Sequence, residues 1–173
     1  MSEATLKTDI FNWLQSIVPA LWVGEGDLRP ANKTAFVWHM LDNSRPATPV
    51  LEGRLSTRNR IGRDSWEQNA NGSQNYTGDR EEMLYLHFFG NGAEDVLTSI
   101  QNAIEDTTMR PTYETNGFLI VENHPIIDAH QYLDSMPEDG ATLDLRIRFI
   151  DTWSTAVAKP GIISTANITE KVN

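Results

Sequence analysis

The sequence predicts an α+β fold: a mixed, mostly antiparallel β-sheet with helices packed on one face and a long extended hairpin arm. Three observations predict it. Two stretches repeat apolar residues at helical spacing, at the N-terminus and at Ala93–Asp106. Two others, Glu81–Phe89 and Ala141–Asp151, alternate with the period of a strand. Between strands lies a polar run, Asn59–Asp79, too poor in apolar residues to pack into a core. The chain has 173 residues, enough for one domain spanning 1–173 to bury its own core.

In the first element, Leu6, Ile10, Trp13, Leu14, Ile17 and Val18 recur every three or four residues, and Pro19 ends the pattern. Ser2 or Thr5 supplies the cap. Leu21–Val23 is too short to assign, and Gly24–Lys33, with two glycines and a proline, reads as a loop. Thr34–Leu41 is rich in Val, Phe and Trp and reads as a strand. The stretch Asp42–Pro49 is a turn-rich connection, and Val50–Arg58 reads as a second strand.

The segment Asn59–Asp79 holds Gly62, Asn69, Asn71, Gly72, Asn75 and Gly78, with Trp66 and Tyr76 as its only aromatics. It is expected to be exposed and mobile, an extended hairpin arm that orders on assembly. Glu81–Phe89 follows, with Met83, Tyr85, His87 and Phe89 on one side and Leu84, Leu86 and Phe88 on the other. Apolar residues on both faces predict a central strand. After the turn Gly90-Asn91-Gly92 comes a helix over Ala93–Asp106, its stripe formed by Val96, Leu97, Ile100, Ala103 and Ile104. Glu94 and Asp95 stand in its first turn, where the helix dipole favours negative charge.

Pro111 breaks the pattern, and Asn116-Gly117 closes a second short helix. Phe118–Glu122 is a short strand, and His124–Gly140 is polar and irregular. In Ala141–Asp151, Leu143, Leu145, Ile147 and Phe149 face inward while Asp144, Arg146 and Arg148 face out. Ile162–Ile168 reads as a last strand. Trp13 and Trp38 are expected in the core.

Composition removes several function classes. The chain has no cysteine, which excludes disulfides, thiolate metal sites and cysteine nucleophiles. Its net charge of −10 opposes tight binding to a phosphate backbone. The longest apolar runs fall far short of the roughly 20 residues of a membrane helix, so no membrane is expected. The N-terminus shows no secretory pattern.

Nor does a catalytic constellation emerge. The chain contains no HExxH, GxSxG or P-loop. Gly90-Asn91-Gly92 lacks the third glycine of a dinucleotide fingerprint. Glu81-Glu82, Glu94-Asp95, Glu105-Asp106 and Glu138-Asp139 are adjacent acids, expected by chance among 24. In a strand such neighbours point to opposite faces and do not converge. His87 reads as a packed strand residue. His124, Asp128, His130 and Asp134 form a polar group without a recognised metal spacing, and they support only the minor alternative of a small metal-dependent enzyme. The sequence therefore predicts no catalytic residue, no metal and no cofactor.

The charge is unevenly placed. Residues 1–63 carry a net +2 and residues 64–173 a net −12. Ten of the 14 basic residues are Arg, a side chain that forms bidentate pairs and is favoured over Lys in interfaces. Four of them, Arg54, Arg58, Arg60 and Arg63, crowd one stretch beside the exposed aromatic Trp66. Such a run is either a solvated face or an assembly surface that meets an acidic patch of a neighbouring copy. The interface candidates are Arg54, Arg58, Arg60, Arg63, Asp64, Trp66, Tyr76 and Arg80.

The order of short motifs over about residues 35–170 resembles the phage neck terminator family of contractile-tailed phages. The first are Val37-Trp38, then Asn43-Ser44-Arg45-Pro46-Ala47-Thr48-Pro49, Arg54-Leu55-Ser56, and Arg58 with Ile61-Gly62-Arg63-Asp64. They continue with Gly78-Asp79-Arg80-Glu81, Phe89-Gly90-Asn91-Gly92-Ala93, Asp128 and the strand Ala141–Phe149. The resemblance implies a structural virion protein at the tail–neck junction, assembled in the host cytoplasm. It implies a ring, typically a homohexamer, that stops the tail tube, anchors the last sheath ring and joins the tail to the head connector. DNA would pass through the lumen without specific binding, and acidic walls suit that passage. The neighbouring alternative is a head-completion or adaptor protein of the neck.

Overall fold

Ser2 starts the first helix by accepting the Thr5 backbone N–H at 3.1 Å, and α1 runs over Glu3–Ile17. The computed structural model describes residues 1–22, 33–38, 49–70, 73–129, 131–133, 136–138 and 140–155. The expected loop at 24–32, the connection at 42–48, the strand at 162–168 and the Trp38 side chain lie outside the described residues.

The predicted fold class holds: a mixed, mostly antiparallel sheet with helices packed against it. The strands are β1 (Leu21–Trp22), β2 (Thr34–Trp38), β3 (Val50–Leu55), β4 (Asn59–Gln68) and β5 (Gln74–Phe89). After α2 (Ala93–Glu105) and α3 (Tyr113–Asn116) come β6 (Phe118–Asn123), β7 (Ile127–Asp128), β8 (Gln131–Leu133), β9 (Met136–Glu138) and β10 (Gly140–Thr155). The main path is β1-β2-β3-β5-β10-β6, with β4 also on β5 and β7 also on β10. β1–β2 and β2–β3 are parallel, and the other pairs are antiparallel. The stretch 124–140, read as irregular, contains β7 and the small β8–β9 hairpin. These are two- and three-residue strands, too short to show a period.

β5 is central, as its apolar pattern predicts, with β10 on one side and β3 then β4 on the other. One face of the sheet is buried. Leu84, Leu86 and Phe88 of β5 and Leu143, Leu145, Ile147 and Phe149 of β10 meet Leu6, Ile10, Trp13 and Leu14 of α1 and Leu97, Ile100 and Ile104 of α2. Trp13 sits edge-on to Phe118, ring centroids 5.9 Å apart, and its indole N–H donates to the Met109 carbonyl at 2.9 Å. The predicted core tryptophan thus also satisfies its polar atom. The opposite face carries Glu52, Arg54, Met83, Tyr85, Asp144, Arg146 and Arg148, largely half-buried or exposed.

Candidate interface on the hairpin arm

The arm is a continuation of the sheet. β3 and β4 follow one another along the same edge of β5, joined through Ser56, whose N–H donates to the Met83 carbonyl at 2.9 Å and whose hydroxyl accepts the Met83 N–H at 2.8 Å. β4 then pairs antiparallel with β5 from Asn59↔Glu81 to Gln68↔Gln74. Asn69 N–H closes the turn onto the Ser73 carbonyl at 2.8 Å. On the far side β10 pairs with β5 over all 16 residues, Gly140↔Phe89 to Thr155↔Gln74, without a break in register.

The expected extended hairpin arm is thus present as a paired ladder. The side of β4 that faces β5 makes its ladder within the chain, from Asn59↔Glu81 to Ile61↔Asp79 and from Ser65↔Thr77 to Gln68↔Gln74. Low apolar content deprives the arm of a core of its own. It does not deprive it of a ladder.

The register shift in β4 falls between Ile61 and Ser65, where Gly62 has φ +70°. A left-handed glycine is the usual way to bulge a strand without steric cost. The bulge turns Asp64 inward over Gly78, where an added Cβ would collide with the Asp64 carboxylate. Glycine at position 78 is therefore what lets that carboxylate approach the strand.

What fills the inward face of the arm is charge and aromatic surface. Arg58 Nε donates to Glu82 Oε1 at 2.8 Å and its Nη1 to Asp151 Oδ2 at 3.1 Å. Its guanidinium lies over the Phe149 ring, 4.8 Å from the centroid. Arg80 Nη1 donates to Asp64 Oδ1 at 2.8 Å, and its Nε is 3.8 Å from Asp151 Oδ2. Its guanidinium lies 5.1 Å from the Trp153 ring centroid, and Trp153 stacks on Tyr76 at 5.3 Å and 7°. Arg60 Nε sits 3.5 Å from Asp64 and donates to the Gly62 carbonyl at 3.0 Å. The Met1 ammonium reaches Asp151 Oδ1 at 3.1 Å and donates to the Ile150 carbonyl at 3.1 Å.

Several groups titrate away from their ordinary values for these reasons. Burial pulls the Arg58 guanidinium down, and the Glu82 hydrogen bond with the charges of Asp151 and Glu82 more than reverses it, so its pKa is raised. The hydrogen bond from Arg80, helped by the charges of Arg60 and Arg80 and opposed by partial burial, holds the Asp64 carboxyl below the usual range. On the opposite face, the Glu81 hydrogen bonds at 2.6 and 3.1 Å raise Arg148.

The sequence-predicted candidates thus divide. Arg58, Arg80, Asp64 and Tyr76 come together, and all four spend their side chains on partners in the same chain. For Arg58 and Arg80, the acids expected on a neighbouring copy are already met by Glu82, Asp64 and Asp151. Arg60 is tied loosely to Asp64. Arg54 and Arg63 are exposed and make no ion pair among the described residues. Trp66 is 57% exposed, directly across β4–β5 from Tyr76.

Sequence reasoning missed Glu82, Phe149, Asp151 and Trp153 as members of this cluster. Their signal was parity: Glu82 continues the inward positions of Leu84, Leu86 and Phe88, and Asp151 and Trp153 continue those of Leu145, Ile147 and Phe149.

Among the described residues no group of three or more His, Asp or Glu side chains could hold a metal, and no helix is long and apolar enough to cross a membrane. His124 Nε2 lies 3.7 Å from Glu122 Oε1, while His130 and Asp134 lie outside the described residues. No curated protein matches the chain. A family model described as "Phage neck terminator protein" matches residues 8–172. The match takes in α1 from Thr8 onward and the whole sheet, and so extends N-terminal to the motifs that carry the resemblance. The chain belongs to the phage neck terminator family, structural proteins at the tail–neck junction of the virion that cap the tail and join it to the head.

Proposed function

We propose that copies of this chain form a closed ring, six by the family's habit, at the head-proximal end of the tail. Each copy is one domain over residues 1–173. The ring stops the tail tube, anchors the last sheath ring and meets the head connector, with DNA passing through its lumen unbound. The observation that carries the reading is the family match over residues 8–172. The arm supports it: a preformed ribbon projecting from the helix-covered core, with the exposed Arg54, Arg63 and Trp66 on it or at its root, the two arginines without an ion pair among the described residues.

Preformed surfaces bind without the entropy of ordering a loop. Exposed tryptophan and arginine are the side chains that most often anchor interfaces. The net charge of −10 keeps the assembly from holding the DNA that passes it. Arg54, Arg63 and Trp66 are therefore the residues assigned to contact with neighbouring copies or with tube, sheath and connector. Arg58, Arg80, Asp64 and Tyr76 hold the arm in shape for them, and Arg60 serves both.

Electron microscopy of purified tails carrying a labelled copy tests the reading. Label in a ring at the head-proximal tail end is expected. Label on filled heads that lack tails would instead make the chain a head-completion protein.

A further inference from the structure

Among the described residues the arm has two open edges. Among the described residues, β4 has β5 as its only strand neighbour. β10 is flanked by β6 only as far as Phe149, and the Ile150 carbonyl is taken by the Met1 ammonium. Beyond that, among the described residues, Asp151–Thr155 has β5 alone. Both edges belong to the same three-stranded ribbon, on opposite sides of it.

Their chemistry matches. Ser65–Gln68 and Thr152–Thr155 lie at the same height along β5, paired with Gln74–Thr77 from its two sides. Both are antiparallel to β5, so they run in the same direction. A tryptophan stands at the same level on each edge and on the same face, because Trp66 and Trp153 both oppose Tyr76. Neither stretch contains Lys or Pro, and Glu67 is the one charged residue among their eight, so neither edge is strongly protected against pairing.

We infer that the neighbour in the assembly is docked by strand addition: Ser65–Gln68 of one copy pairs in parallel with Thr152–Thr155 of the next. The inference rests on the ring reading and names its contact. A β4–β10 contact is heterologous, so each copy offers one edge and accepts another, and a closed ring leaves no edge open. A two-fold β4–β4 contact would leave every β10 edge unused. In the joined sheet the row Trp66, Tyr76, Trp153 continues into the next copy's Trp66. The 57% exposure of that residue is thereby removed.

The absence of cysteine makes the test clean. Glu67 and Ser154 are exposed and both oppose Asn75, so within one chain they stand two strand spacings apart, about 10 Å. A disulfide needs Cα atoms within about 7 Å, so the pair cannot close inside one chain. Chains carrying Glu67→Cys with Ser154→Cys, and Glu67→Cys with Thr152→Cys to cover a two-residue stagger, are assembled on tails and oxidised. Either pair is expected to shift most of the protein to covalent multimers up to the ring size on a non-reducing gel, while each single variant stays monomeric.

Dimers from Glu67→Cys alone would establish the two-fold contact and overturn the inference. Monomers from both pairs, with a ring still visible on the tails, would overturn strand addition and leave the ring reading standing. Monomers with no ring and no protein on the tails would overturn both.

Discussion

The two halves of β5 do the same geometric job with different chemistry. At one end, Leu84, Leu86 and Phe88 point into the core beneath α1 and α2. At the other, the same face of the same strand presents Glu82, Arg80, Gly78 and Tyr76, and β10 answers with Phe149, Asp151 and Trp153 in place of aliphatic side chains. Burial of apolar surface is non-directional and tolerates shifts of packing. Charge-assisted hydrogen bonds and stacked rings demand particular geometry. The covered half therefore sets whether the chain folds, and the ladder half sets the shape in which the arm is held out.

The sharpest way to break this contrast is to damage each half in turn. Leu145→Ala, in the fully buried row of β10, is expected to cost about 2–5 kcal/mol and to lower global stability in a denaturant titration. Glu82→Ala should cost less, about 1–3 kcal/mol, because the Arg58 guanidinium keeps Asp151 and is already partly open to water. Its effect should be local. Hydrogen exchange should speed up in Asn59–Gln68 and leave α2 unchanged. Uniform loss of protection would show that the two halves are one unit.

Arg58→Glu sharpens the comparison further, since it places a third carboxylate beside Glu82 and Asp151. The arm should loosen in the isolated chain. Arg63→Glu, at an exposed position, should leave the fold unchanged and weaken only assembly on tails. Equal folding defects in the two variants would erase the distinction between the committed and the free arginines.

Acid should act on the arm before the core. The folded Asp64 carboxyl titrates below its unfolded value of about 4. Its contribution is therefore present above that value and is lost as pH falls through the folded pKa. Exchange protection of Ser65–Gln68 should decline in that window while the covered half of β5 keeps its own. The smallest expected change is that of Trp66→Ala. Stability should move by no more than about 0.5 kcal/mol, as for other exposed positions, while the number of capped tails falls.

The fold was legible where burial imposes a period. α1, α2, β5's covered half and β10 up to Asp151 all show their spacing in the apolar residues. β10 and β5 were read too short because a ladder of Arg, Asp, Glu and aromatics keeps the strand's parity without its hydropathy. The arginine cluster was legible as a cluster. Which arginines were free was not, because Glu82 and Asp151 are 24 and 93 residues from Arg58 and meet it only through the strand register. β7, β8 and β9 are too short to leave any periodic mark.

The unbroken pairing of β5 with β10 has a mechanical consequence. Sixteen residues of antiparallel strand extend about 54 Å. A pull along that axis loads the whole ladder in shear, every bond sharing the force at once. A sideways pull at the tip opens the ladder one pair at a time, starting at Gln74 and Thr155. The arm is thus a strut, stiff along its length and compliant across it. A joint between two large bodies can bear tension through such a part while still letting them tilt.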